Sequence, residues 1–237
     1  MASELIHPAP LIPLYLYLGD PIARPAHLYD YLLAEQGVIK RLETWYVSAD
    51  MLLAPLTETL IGLRLAPYPL HPLRLKVPLI PGVLLREMLA DARRNLDLEF
   101  IYHFRFDPDQ GWYVTRPEQA QDRTHVGYVD HNQAGIVAEC HSHNTMPAFF
   151  SPTDNRDEQG GRFYAVIGHL DRPQPQIVVR LGMYGHWLRN IPGLALFDGL
   201  GPFVDTYDDP NLDHDPAVVD PEPGWPAWLG LFQRRSP

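Results

Sequence analysis

His141 and His143 flank a single serine, and Ser151-Pro152-Thr153-Asp154 follows after seven intervening residues. On a strand, side chains two apart face the same way, so both imidazoles can reach one ion. Asp154 adds a carboxylate eleven residues beyond His143. Two imidazoles and one carboxylate make a three-ligand set, which in zinc enzymes leaves a fourth position open for chemistry. Such a centre also needs an acid or base close by. Glu139 shares a strand face with both histidines. Ser-Pro-Thr-Asp also reads simply as a helix start, because serine caps, proline fits the first turn and an acidic side chain is favoured there. Cys140 alternates to the opposite face and reads as core packing. His103, His125, His131, His169 and His186 read as surface or core residues with no assigned chemistry.

Other His-x-His arrangements fail on the residues present. A cupin-type site wants a glutamate four or five residues after the second histidine, where Pro147 and Ala148 stand. A metallo-β-lactamase-type site wants Asp-His directly after it, where Asn144 and Thr145 stand. An amidohydrolase barrel needs far more chain than remains. The pattern that fits is His-x-His, seven residues, then Ser-x-x-Asp, with Glu99 upstream between a helix and a strand. In this it resembles the JAMM, or MPN-plus, zinc metalloprotease family over roughly residues 80 to 190. The resemblance implies a mixed β-sheet flanked by helices, of α/β (α+β) class. It implies Zn2+ on His141, His143 and Asp154, Glu99, 42 residues before His141, as the general base in competition with Glu139, and Ser151 as a hydrogen-bond donor to the oxyanion. It also implies hydrolysis of a peptide or isopeptide bond at the tail of a ubiquitin-like or sulfur-carrier-like protein. The alternative within the same fold is a non-proteolytic scaffold. One departure stands out: family members usually carry proline after the second histidine, and Asn144 here leaves the loop looser while removing no ligand. The flanks resemble a narrower group, the plasmid-associated PRTRC system protein A, in the N-terminal extension and in "GMYGHWLRNIPGLALF".

The elements that position these residues are legible in part. "VLLREMLADARRN" places Leu85, Met88, Leu89 and Ala92 on one helical stripe, with Arg86, Asp91 and Arg93 toward water. "LEFIYHFRF" and "GWYVTRP" read as a hairpin closed by "DPDQG". "GIVAECHSH" is an apolar run that turns polar at its end, as a buried strand does when it emerges at a sheet rim. "FYAVIGHL" and "QIVVRLGMYGHW" read as two further strands. The N-terminal part offers a few short strands in "VIKRLETWYVSADMLLAPL", followed by a proline-rich extended connector, "APYPLHPLRLKVPLIP". These readings give an N-terminal extension over 1–80, the metalloprotease-like domain over 81–192, and an irregular tail over 193–237. Within that tail, 205–222 is acidic and "GWPAWLGLFQRR" carries apolar surface that wants a partner.

A net charge of −10, with no basic run, excludes a nucleic-acid backbone or an anionic membrane surface as an expected direct partner. The single cysteine excludes an internal disulfide, and together with the lack of a secretory leader it points to a reducing cytoplasm. The early apolar run "APLIPLYLYLG" is broken by Pro10 and Pro13 and falls short of the roughly 20 residues a spanning helix needs. It reads as part of the fold.

Overall fold

The computed structural model describes residues 12–25, 28–57, 63–121, 126–129 and 132–207. The chain divides into two compact units, Met1–Lys76 and Val77–Pro237. The first contains a five-stranded sheet whose strands run in sequence order: β1 (Leu14–Leu16), β2 (Tyr29–Ala34), β3 (Gly37–Glu43), β4 (Val47–Pro55) and β5 (Arg74–Leu75). β2 to β5 pair antiparallel, while β1 lies parallel to β2 at the edge. Leu32, Ala34, Ile39 and Tyr68 form its apolar centre. Arg41 is buried beside Asp30 in a two-bonded ion pair of 2.7 and 2.5 Å, the arrangement a buried guanidinium requires.

The second unit opens with α1 (Gly82–Ala92), whose buried residues include Leu85, Met88, Leu89 and Ala92, the stripe expected from the spacing. Its first amide, Gly82, donates to the Asp198 carboxylate at 2.5 Å. A side chain at Gly82 would collide with the Gly199 carbonyl oxygen, so this close approach needs glycine. After α1 come β6 (Ile101–Asp107), β7 (Gly111–Thr115), β8 (Glu118–Gln121), β9 (Val126–Val129), β10 (Ile136–Ser142), α2 (Pro152–Asp157), β11 (Phe163–Gly168), β12 (Gln176–Gly182), β13 (Trp187–Leu188) and β14 (Val204–Asp205). Seven of these strands form one sheet in the order β13-β12-β11-β10-β6-β7, with β14 also on β12. β8 and β9 make a separate hairpin.

The expected β6–β7 hairpin and the antiparallel β11–β12 pair are present. β10 is central, antiparallel to β6 and parallel to β11, so the chain crosses over between β10 and β11 and carries α2 in that crossover. A parallel crossover puts its ligand-binding crevice at the carboxyl ends of the strands, and His141 sits near that end of β10. α1 meets the face carrying Tyr102, whose hydroxyl donates to Asp91 at 3.0 Å; Cys140, paired with Tyr102 in register, is fully buried on that face. The opposite face carries His141 together with Ala148, Phe150, Tyr164, Val166 and Val178, an apolar cluster beside the site.

The sequence reading began the tail at 193. Here Leu196, Phe197 and Phe203 are buried, Phe197 lies edge-on to Phe104, and β14 extends the sheet through 205, so the packed domain continues past that point. From 208 onward, including most of the acidic segment and the Trp225–Phe232 stretch, the expectations concern residues outside those described, as do His125 and His131. Among the described residues no helix is long and apolar enough to cross a membrane.

Candidate metal centre

Three of the residues singled out by type and spacing converge. His141, His143 and Asp154 each offer one ligand atom, all within 4.8 Å of one another. His141 Nε2 stands 3.3 Å from His143 Nε2 and 3.4 Å from Asp154 Oδ1. Two donors each about 2.0–2.1 Å from a tetrahedral ion are separated by about 3.3–3.4 Å, so these edges fit zinc. The donor set, two imidazole nitrogens and one carboxylate oxygen, is chemically suited to the same ion.

Two of the three candidate ligands are held from behind by hydrogen bonds. His143 Nδ1 lies 3.3 Å from the Pro147 carbonyl, which accepts its proton and leaves Nε2 as the lone-pair nitrogen. Its ring also packs edge-on against Phe149. Asp154 is fixed by a capping box: Ser151 N donates to Oδ2 at 2.6 Å, and Asp154 N donates to Ser151 Oγ at 3.2 Å. The cap therefore aims the other carboxylate oxygen at His141. Accepting that bond leaves the Ser151 hydroxyl its own hydrogen to donate. The helix start therefore places the carboxylate where a metal ligand could stand, so the two readings of Ser-Pro-Thr-Asp are compatible.

Asn144 corrects an expectation. Its φ is +49°, a region closed to proline, whose ring fixes φ near −65°. The loop is not loosened: His143 N donates to Ile167 O, His169 N to Met146 O and Leu170 N to Asn144 O, each at 2.7 Å. The Asn144 side chain is buried, with Oδ1 accepting from Ser142 Oγ at 3.4 Å and Nδ2 without a partner among the described residues. Ser142 Oγ in turn accepts from Phe100 N at 2.9 Å, which ties the residue after Glu99 to the ligand strand.

The two candidate bases part company. Glu99 is buried between α1 and β6, near enough that its charge raises the pKa of His141. Glu139 is bound elsewhere, accepting from Tyr128 Oη at 2.6 Å and facing His103 Nε2 at 3.2 Å. Burial pushes the Glu139 pKa up, but those partners and the nearby Arg162 hold it below the usual range.

Glu158 is a site residue that the sequence reading missed. It is buried at the end of α2, with Oε1 3.6 Å from His141 Nδ1, an ion-pair distance just beyond hydrogen-bond range. Its Oε2 accepts from Arg180 Nε at 3.0 Å and Nη2 at 2.6 Å. Arg180 is fully buried, donates to Asn155 Oδ1 at 2.5 Å, and lies over the rings of Phe150 and Trp187 at 3.7 and 4.8 Å. The available signals were helical: Glu158 is four residues after Asp154 and so on the same side of the turn. A lone arginine inside the apolar run "IVVRLG" also demands a buried acid.

The electrostatics follow from this crowding of carboxylates. Burial lowers the His141 pKa, but Asp154, Glu158 and Glu99 override it and raise the value to about 9. Burial and the neighbouring His141 push His143 down to about 4. Burial would raise Asp154, yet His141 and the Ser151 contacts hold it well below the carboxylate range. Burial pushes Glu158 up against the pull of Arg180 and His141. A site in which three acidic groups surround one imidazole favours a cation at its centre.

The family model described as prokaryotic homologs of the JAB domain matches residues 81–181, from the start of α1 to the end of β12. No curated protein matches the chain. The matched segment carries the mixed sheet, the crossover and the His141-His143-Asp154 cluster. Residues 81–181 therefore belong to the JAB domain family in its prokaryotic form.

Proposed function

We propose that this JAB domain is a zinc-dependent hydrolase of peptide or isopeptide bonds that acts in the cytoplasm on the C-terminal tail of a ubiquitin-like or sulfur-carrier-like protein. The observation that carries the reading is the pair of 3.3 and 3.4 Å edges joining His141, His143 and Asp154, with Glu99 buried alongside. His141, His143 and Asp154 would hold the ion. When bound, zinc supplies Lewis acidity, which polarises a carbonyl and makes water acidic enough to attack at neutral pH. Glu99 takes the proton of the attacking water and delivers it to the leaving amine. Ser151 donates its hydroxyl hydrogen to the oxyanion as the tetrahedral species forms. The buried rings of Phe150 and His143 and the half-buried Phe149 limit water around these groups, which strengthens each interaction.

The test is cleavage of a ubiquitin-like fusion by the full chain. Cleavage is expected to require zinc and to fall about 10²–10⁴-fold in Glu99→Gln, the range typical of a lost general base. Cleavage that survives a chelator would refute the reading. A second reading, a non-proteolytic scaffold, draws support from the first unit, where Leu14, Tyr15 and Leu16 of edge strand β1 are all exposed. Partner capture that persists in His141→Ala, with no cleavage by the wild type, would favour it.

A further inference from the structure

We propose that Glu158 is a positioning residue for the metal centre: its Oε1, 3.6 Å from His141 Nδ1, closes to accept Nδ1–H when the ion is bound, so that Nε2 is presented to the ion. This inference rests on the zinc reading above. It stands on a contrast between the two histidines. His143 has a backbone acceptor behind it, the Pro147 carbonyl at 3.3 Å. At His141 Nδ1 the facing group is instead a carboxylate oxygen, Glu158 Oε1 at 3.6 Å. The imidazole that is not backed by a carbonyl is backed by a carboxylate, as metal-bound histidines commonly are.

Arg180 makes the arrangement directional. It is donor-only, and it engages Glu158 through Oε2 alone, by Nε at 3.0 Å and Nη2 at 2.6 Å. That leaves Oε1 for His141. The guanidinium cannot swing away, because Asn155 Oδ1 accepts from Nη1 at 2.5 Å and Phe150 and Trp187 lie against it. Trp187 Nε1 further pins the Glu158 backbone carbonyl at 3.2 Å. The ligand strand, the crossover helix and β12 are thereby locked together around one imidazole.

The same logic predicts what Glu158→Gln does. Arg180 can accept nothing, so it holds the amide oxygen and turns the NH2 group toward His141. Nδ1 then faces a donor, and the favoured tautomer moves the proton to Nε2, the nitrogen that should bind the ion. Two measurements on the full chain test this. Zinc affinity, read by competition with a chromophoric chelator, is expected to fall about 10–100-fold in Glu158→Gln. In the zinc-loaded wild type, 15N–1H spectra of the histidine side chains are expected to show a slowly exchanging Nδ1–H on His141. That second readout needs no variant, so it holds if Glu158→Gln fails to fold. A merely structural role for Glu158 would leave the tautomer unchanged in the variant. Unchanged zinc affinity in a folded Glu158→Gln, or a wild-type His141 protonated at Nε2, would overturn the inference while leaving the zinc site intact. A wild type that takes up no zinc would instead overturn the functional reading, and this inference with it.

Discussion

Arg180→Met should be among the most damaging single changes in the second unit, and the size of the effect follows from what it strands. Arg180 is fully buried and makes two bonds to Glu158, one to Asn155, and ring contacts with Phe150 and Trp187. Methionine roughly fills the space and keeps the ring contacts apolar, so the cavity penalty is small. The large term is Glu158, left with its carboxylate buried and its main cationic partner gone. Removing one member of a buried ion pair costs about 3–5 kcal/mol, against about 0–1 kcal/mol for a surface pair. For a unit of this size that corresponds to a Tm lower by about 6–20 °C. The assay is urea unfolding of Arg180→Met, of Glu158→Leu and of Glu158→Leu/Arg180→Met, with the transition of the second unit followed by tryptophan fluorescence. The double variant strands no charge, so it is expected to recover much of the loss. Acid should also rescue the single variant. Its Glu158 has a folded-state pKa above the unfolded value, so the penalty is present at neutral pH and fades as pH falls toward about 4.3. A loss in Arg180→Met of under about 1 kcal/mol, as for an exposed pair, or a double variant as unstable as the summed singles, would refute the reasoning.

Two further outcomes are expected. Ser151→Ala removes both the helix cap and the hydroxyl donor. It should destabilise the second unit by about 0.5–2 kcal/mol and, where cleavage is measured, lower kcat about 10²–10³-fold, separable by comparing unfolding with turnover. In chelator, stability of the second unit should decline as pH rises from about 6.5, the ordinary histidine value, through about 9, because His141 has its pKa raised in the folded state. Unfolding curves at pH 6 and pH 9.5 measure this, and the decline should be altered in His141→Ala, where the part of it above about pH 8, the folded-state value of Glu158, should be lost.

The cluster of candidate ligands was more legible than the scaffold around it. His141, His143, Ser151 and Asp154 could be read because a period of two on a strand and a capping pattern at a helix start are local properties. α1 was legible for the same reason, from its i, i+3, i+4, i+7 stripe. Glu158 and Arg180 were not, since their meaning lies in a pairing across 22 residues between the end of α2 and a central strand. β8 escaped notice because "EQAQ" has neither alternation nor β-branched residues; it is held by its β9 partner and by Gln119 Oε1, which accepts from Ile101 N at 2.9 Å. The Asn144 substitution was visible, but its consequence was misread, because a positive φ cannot be seen in a residue type that also tolerates ordinary turns. The sheet of the first unit was only partly legible: its prolines masked β1, which pairs parallel and stays exposed, so no apolar alternation marks it.

The most direct measurement is the metal content of the purified full chain after zinc loading and exhaustive dialysis, beside His143→Ala and Asp154→Ala prepared in the same way. One equivalent of zinc in the wild type and none in either variant is the predicted result. A wild type without zinc, or a full equivalent retained by either variant, would contradict the claim that His141, His143 and Asp154 share one ion.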